Sequence, residues 1–470
     1  MPIKFGTDGW RAVIGDDFTY ANLEIVTRAT AHWLLDTAGD NPSVVLGHDT
    51  RFQGRAFSEF TARVFASLGV RVVLASRVAP TPAISWGALG YGLSAGIVIT
   101  ASHNPPSYSG FKIKASFGGP ASPEQIAAVE ERYDYDGADS YELQSLADLM
   151  DAGMIEERDV TGDYLDVLRE RLDVDAIANS GLKIAHDAMY GAGRGLVADL
   201  IGAENVISMH DTFNPSMMGQ APEPIERNLG ELSETIVREG CAAGLANDGD
   251  ADRIGMYDET GAFVDSHQLL ALLVKYLHEE RGLSGSIVKT FSTTQMLDKM
   301  GERYGLPVET TQIGFKYIGK MIVDGDVLVG GEESGGMAVK GHIPERDGIY
   351  IGLLIVEMMV RRGKKLSELV QELFDEFGAH RNARVDVHTT HERKAAVLKR
   401  LSAGGLTSVD GHAVAEVQTL DGFKHLMGDR WLLVRPSGTE PVLRVYAEAP
   451  TEAEARAVVA DAMKQMELEA

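Results

Sequence analysis

A serine beside a histidine stands in Thr100-Ala101-Ser102-His103-Asn104-Pro105-Pro106, directly after the apolar run Ala95-Gly96-Ile97-Val98-Ile99. The run reads as a buried strand, and the two prolines fix φ and deny the loop a helical continuation. A hydroxyl and an imidazole on a stiffened loop suit nucleophilic chemistry, although an ordinary strand exit fits the pair as well. The second cluster is acidic. Asp248, Asp250 and Asp252 alternate along Asp248-Gly249-Asp250-Ala251-Asp252-Arg253, after the buried strand Gly244-Leu245-Ala246-Asn247. Three such carboxylates supply hard oxygen ligands for Mg²⁺ or Ca²⁺. Glu259 would fill the twelfth position of an EF-hand loop begun at Asp248. Arg253 stands where that loop needs glycine, however, and the flanks read as strands, so an EF-hand is disfavoured.

Other stretches could bind rather than react. Glycines flank Glu332-Glu333-Ser334 in Gly330 to Gly336, letting backbone approach a ligand whose hydroxyls the carboxylates and serine could meet. A glycine-rich surface loop is the competing reading. Arg435-Pro436-Ser437-Gly438-Thr439-Glu440-Pro441 resembles an anion cradle without being a Walker loop. In Phe5-Gly6-Thr7-Asp8-Gly9-Trp10-Arg11 a tight turn between glycines holds Arg11. Alternation in Ser109 to Lys114 puts Lys112 and Lys114 on one face, where exposed lysines on an edge strand are the ordinary expectation. Gly191-Ala192-Gly193-Arg194-Gly195 brushes against a dinucleotide fingerprint, but the strand before it ends in Asp187 and no other cofactor signature supports it. Cys241 reads as a small buried residue.

The elements that must position these residues alternate between strand and helix. Helices are expected over 22–35 and 55–68, and strands over 43–47 and 70–74. A Pro80-Thr81-Pro82 turn should precede the strand that leads to Ser102. The polar segment 130–139 is expected to be loop and helix. A second α/β unit begins near Gly181, with a strand over 182–187 and a helix after Gly195, and a third runs from Gly285 to about Arg362. From about Arg384 the pattern becomes α+β, with helices over 392–401 and 451–468. Such alternation indicates largely parallel sheets, whose ligands bind beyond the carboxyl ends of strands.

The 470 residues suggest roughly three domains at about 150 residues each, and 44% hydrophobic residues allow real cores. A net charge of -25 makes nonspecific nucleic-acid binding improbable and repels anionic substrates at long range. A phosphate site would therefore need locally concentrated Arg and Lys. The chain has no apolar run of membrane-spanning length and no basic-apolar leader, and its one cysteine excludes an intrachain disulfide framework. The expected location is the cytoplasm.

Five stretches together, in order along the whole chain, resemble the α-D-phosphohexomutase family, the relatives of phosphoglucomutase and phosphomannomutase. They are Gly6-Thr7-Asp8-Gly9, Thr100 to Pro105, Asp248 to Arg253, Gly331-Glu332-Glu333-Ser334-Gly335, and Arg435 to Pro441. The resemblance implies three similar α/β domains with mixed, largely parallel sheets plus a C-terminal α+β cap around a central cleft. The expected domains are 1–150, 151–258, 259–375 and 376–470. It also implies a phosphoserine at Ser102 and one Mg²⁺ held by Asp248, Asp250, Asp252 and the Ser102 phosphate. Lys112 matches the general acid/base, with His103, Arg11 and Arg253 beside the transferred group. Thr7, Lys289, Gly314, Lys316, Glu332 and Ser334 match substrate contacts, and Arg435, Ser437, Gly438 and Thr439 match the phosphate site. The implied reaction interconverts hexose 1-phosphate and hexose 6-phosphate, for glucose and mannose, through a hexose 1,6-bisphosphate. Lys112 would need its pKa lowered to act as a base, which Arg253, His103 and the metal charge could do. Phosphoglucosamine mutases are the nearest alternative; they commonly carry Gln where this chain has Glu333 and His where it has Gly336. A phosphatase or a noncatalytic sugar-phosphate sensor is less favoured. The expected partner is a phosphosugar, with no nucleic acid and no membrane, on a monomer or homodimer.

Overall fold

Val44, Val45 and Leu46 are fully buried, as a central parallel strand covered on both faces must be. The computed structural model describes residues 3–6, 8–135, 137, 141–436 and 442–468, in two bodies. The first comprises 1–269 with 314–367, and the second 270–313 with 368–470.

The first body opens on a six-stranded mixed sheet in the order Trp10–Val13, Tyr108–Ala115, Ala95–Ile99, Ser43–His48, Arg71–Ala75, Ile155–Arg158. Its last four strands pair in parallel. Tyr108–Ala115 joins antiparallel to Ala95–Ile99 on one side and to Trp10–Val13 on the other. Lys112 and Lys114 therefore do not stand on an edge, and both are fully buried. Phe111 and Ile113 face the opposite way, into a core that includes Trp10, Phe18, Phe57 and Leu74. The helix Tyr20–Thr37 runs about two residues past each expected end; Thr19 caps its start, accepting from the Asn22 N–H at 3.3 Å, and at its end the Ala38 N–H donates to the Leu34 carbonyl.

One expectation fails outright. Pro80-Thr81-Pro82 is not a turn before a strand but the start of a helix, Thr81–Gly90. Proline is tolerated in a first helical turn, where its missing N–H is not needed, so the same residues that punctuate turns here open a helix. Residues 123–130 form a further helix, capped by a reciprocal pair between Ser122 and Gln125.

The second sheet runs Phe263–Val264, Ile254–Asp258, Ala243–Asn247, Ile184–Asp187, Val206–Met209. Its last three strands are parallel, and the acidic loop joins Ala243–Asn247 to its antiparallel neighbour Ile254–Asp258. Cys241 is buried at 2% exposure, as expected. An antiparallel hairpin, Val327–Gly331 with Met337–Val339, carries the Glu332 loop.

In the second body, Ser286–Thr290 and Val308–Thr311 pair in parallel around the helix Met296–Tyr304. The C-terminal part is a fully antiparallel sheet in the order Arg381–His388, Val442–Ala449, Trp431–Pro436, Phe423–Leu426, Glu416–Gln418. Helices His391–Ser402 and Glu452–Gln465 cover it through Leu401, Val458 and Ala462. Among the described residues no helix is long and apolar enough to cross a membrane.

Candidate active site

Ser102 and Ala251 both adopt left-handed backbone, at φ 51° and 58°, a region non-glycine residues rarely occupy. Each lies on a loop leaving the carboxyl end of a parallel strand in the first body. Such strain persists only where the surroundings over-determine it, and here the two loops brace each other. The Ser102 hydroxyl donates to Asp248 Oδ2 at 2.7 Å and lies 3.3 Å from His103 Nδ1. A Cβ on Gly249 would sit 2.5 Å from the Ser102 carbonyl oxygen, so only glycine lets the loops meet. Gly191 serves the same loop from behind: its Cβ would lie 2.8 Å from the Asp248 carbonyl, and the Ala192 N–H donates to the Gly249 carbonyl at 2.9 Å. The glycine spacing that suggested a dinucleotide site is thus used for packing against the acidic loop.

Ligand atoms of Asp248, Asp250 and Asp252 lie within 4.8 Å of one another, all three residues buried. Among the described residues, Oδ1 of Asp250 and Oδ1 of Asp252 are buried without a hydrogen-bond partner. Burial, with Asp252 and Asp250 adjacent, pushes the Asp248 carboxyl well above the usual range. Three crowded carboxylates with orphaned oxygens suit a hard divalent cation, which they would hold beside the Ser102 hydroxyl. The EF-hand alternative is excluded. The flanks are antiparallel strands, and Glu259 instead accepts the Ser367 hydroxyl.

Cations close the site. Lys112 Nζ lies 2.8 Å from Asp8, 2.8 Å from Asp250 and 3.1 Å from Asp252. Burial alone would lower its pKa, but Asp250, Asp252 and Asp8 outweigh it and push the ammonium up. The expected lowering is therefore reversed, because the three carboxylates outweigh both burial and the nearby Arg346 charge. Lys114 pairs with Glu345 at 2.7 Å and with Asp8 at 3.2 Å. Arg346 bridges Asp8 and Asp252, the latter at 2.8 Å. Arg11 donates to Asn104 Oδ1 at 2.9 Å. Arg253 lies at the rim of the acidic loop, its Nε 4.0 Å from Asp252 Oδ1. Burial, then the charges of Arg253, Arg11, Lys112 and Arg346, hold His103 far below its usual pKa and so neutral.

Several of these groups escaped the sequence reading. Asp8 stands in the N-terminal turn, where Arg11 and, by resemblance, Thr7 are the residues the sequence singles out. Thr81, whose hydroxyl donates to Asp250, was hidden by the misread helix start. Glu345 and Arg346 stand just before Asp347, the N-cap of the helix Gly348–Arg362, and that position is their only signal. Arg51 follows a buried strand as part of Asp49-Thr50-Arg51, and that placement was its signal.

Other expected residues divide between the bodies. In the first, Glu332 is buried, and desolvation lifts its carboxyl to about 7. Ser334 is half-buried, while Gly330, Gly331, Gly335 and Gly336 are buried, so this is no surface loop. Gly314 caps the helix Phe315–Asp324, and half-buried Lys316 lies over the Tyr317 ring at 5.3 Å. In the second body Lys289 is buried and occupied internally, donating to the Thr294 carbonyl at 2.9 Å and pairing with Asp298. Arg435 pairs with Asp421 at 3.0 Å. Thr7, Ser437, Gly438 and Thr439 lie outside the described residues.

Comparison with known proteins matches the chain to all four domain models of phosphoglucomutase/phosphomannomutase, in order. The alpha/beta/alpha domains I, II and III match residues 2–139, 162–261 and 265–377, and the C-terminal domain matches 384–465. A phosphoglucomutase/phosphomannomutase of Thermococcus kodakarensis is 32% identical over 98% of both chains. A phosphoglucosamine mutase of Geobacillus thermodenitrificans is 30% identical over 97% of this chain and 96% of its own. A crystal structure from Thermus thermophilus, described as a phosphomannomutase, superposes with a TM-score of 0.87 at 35% identity over 99% of both chains.

Proposed function

Because the chain belongs to the phosphoglucomutase/phosphomannomutase family, the α-D-phosphohexomutases, and is a phosphohexomutase, we propose that it carries its phosphoryl group on Ser102 and interconverts the 1- and 6-phosphates of glucose and mannose. The single observation behind this reading is the meeting of two strained loops, with the Ser102 hydroxyl 2.7 Å from a carboxylate of a three-aspartate cluster. A serine hydroxyl is a poor nucleophile, whereas a phosphoserine is already poised for transfer. Phosphoryl transfer demands positioning and charge neutralisation more than covalent chemistry.

In this mechanism phospho-Ser102 gives its group to the sugar 6-hydroxyl, and the resulting hexose 1,6-bisphosphate turns over and returns its 1-phosphate to Ser102. Asp248, Asp250, Asp252 and the Ser102 phosphate would hold a Mg²⁺ ion, which when bound would supply neutralisation of phosphate charge. Arg11 and Arg253 add positive charge beside the transferred group. Lys112, a firm ammonium at neutral pH, suits proton donation and charge stabilisation. His103, kept neutral beside Ser102, suits proton acceptance. Glu332 and Ser334 read sugar hydroxyls, with Gly314 and Lys316 on the same side. Arg435, with Ser437, Gly438 and Thr439, holds the phosphate that is not reacting, on the C-terminal cap beginning near residue 376. Thr7 and Lys289 belong to the substrate contacts in this scheme, although Lys289 must first leave Asp298.

Glucosamine phosphate is the second reading, favoured by the 30% identity to the Geobacillus phosphoglucosamine mutase. The deciding experiment supplies glucose, mannose and glucosamine 1-phosphates, each with a trace of its 1,6-bisphosphate. Formation of 6-phosphate from glucose and mannose, abolished by Ser102→Ala, is the expected result. Glucosamine alone as substrate would move the assignment to the second reading. Free phosphate would indicate a phosphatase, and no product at all a sensor.

A further inference from the structure

Arg51 is 1% exposed and sits just beyond the central strand Ser43–His48, yet nothing in the reaction scheme uses it. Its five N–H donors are all committed. Nε donates to Asp49 Oδ2 at 3.0 Å. Nη1 donates to the carbonyls of Pro105 at 2.7 Å and Tyr108 at 2.9 Å. Nη2 donates to the carbonyls of Ser102 and Asn104, both at 2.6 Å. One guanidinium thus holds four carbonyl oxygens of the Ser102 loop. Asp49 completes the frame: its Oδ2 accepts the Thr100 hydroxyl at 2.6 Å, and Thr100 Oγ1 accepts the Ser102 N–H at 2.9 Å. The Ser102 carbonyl that Arg51 grips is the one that abuts Gly249 of the acidic loop.

With every donor spent inside the protein, Arg51 has none left for a phosphate oxygen. We propose that Arg51 is a positioning residue, whose guanidinium imposes the left-handed conformation at Ser102 and so sets the serine oxygen against the Asp248–Asp252 loop. The proposal rests on the reading of Ser102 as phosphoryl carrier. Lysine cannot replace it. Three donors on one nitrogen cannot meet four carbonyls spread along a loop and a carboxylate besides.

The test is Arg51→Lys, followed by steady-state kinetics, transfer of phosphate from glucose 1,6-bisphosphate to Ser102, and hydrogen exchange. Misplacing a reacting group by about 1 Å can cost about 100-fold in rate, so kcat and the rate of Ser102 phosphorylation should fall together by about that factor. KM should stay within about threefold, because the sugar contacts are untouched. Amides over 102–108 should exchange faster, while those of the helix Tyr20–Thr37 keep wild-type protection. Should Arg51→Lys fail to fold, Asp49→Asn weakens one charge-assisted bond of the frame and should give the same pattern at about tenfold. Wild-type kcat and loop protection overturn the proposal. So does a loss of activity matched by faster exchange everywhere, which would mark a merely structural residue. If wild-type Ser102 takes up no phosphate, the carrier reading falls, and the exchange contrast still decides whether Arg51 orders the loop.

Discussion

Lys112→Met removes the ammonium that three buried carboxylates share and leaves an apolar chain of similar reach. Removing one partner of a buried ion pair costs about 3–5 kcal/mol. Here each carboxylate keeps a second partner: Arg346 for Asp8 and Asp252, and the Thr81 hydroxyl for Asp250. The lower end, about 3 kcal/mol, is therefore expected, seen in calorimetry as a fall of roughly 5 °C in the transition of the first body. The sign with pH follows from the raised ammonium. Its stabilisation is complete below the ordinary lysine value and is lost only as pH rises through the higher folded value, so the cost should be equal at about pH 6 and about pH 9. The same ammonium would compete with a divalent cation for oxygens of Asp250 and Asp252. At an effective dielectric of about 20 and a separation of roughly 5 Å, a unit charge opposes a divalent ion by several kcal/mol. Mg²⁺ should accordingly raise the melting temperature of Lys112→Met more than that of the wild type, even as turnover falls by about 100-fold or more. A variant that melts like the wild type, or that gains no more from Mg²⁺, would refute the account of Lys112 as a buried partner of all three carboxylates that opposes a divalent ion.

Glu332→Gln should grow more stable relative to the wild type as pH rises. The carboxyl titrates near 7 in the folded chain against about 4.3 unfolded, so charging it costs up to about 4 kcal/mol, a gap that opens between those values and is constant above them. The same variant should discriminate less between glucose and galactose 1-phosphates in kcat/KM. His210, with Nδ1 2.9 Å from Asp187 and Nε2 3.5 Å from Glu231, has its pKa raised mainly by the Asp187 hydrogen bond. His210→Gln should lower the melting temperature at about pH 5.5, and the difference should close as pH rises through the folded value; a gap that widens with pH would contradict it. Arg435→Ala should weaken binding of both 1- and 6-phosphates by about 1.5–3 kcal/mol, and a defect confined to one end of the sugar would argue against a shared phosphate site.

The sequence alone was enough to locate the Ser102 loop, the three aspartates, the Glu332 loop and the common face of Lys112 and Lys114. Each depends on turn chemistry or on a two-residue period, which neighbours a few positions away dictate. Tertiary structure decided what surrounds them. Arg346 reaches Asp8 across 338 positions, and Lys112 reaches Asp250 across 138. No local pattern encodes such pairs, because they follow from which strand ends the two sheets bring together. Electrostatics obeys the same logic: desolvation lifts Glu332 and keeps His103 neutral, whereas at Lys112 the charges of Asp250, Asp252 and Asp8 overcome desolvation and reverse the direction expected of that lysine. Thr81 and Arg51 show the limit most plainly. The prolines around Thr81 suit a turn or a first helical turn equally, and an arginine after a buried strand acquires four carbonyl partners only once the chain about fifty residues later has folded back over it.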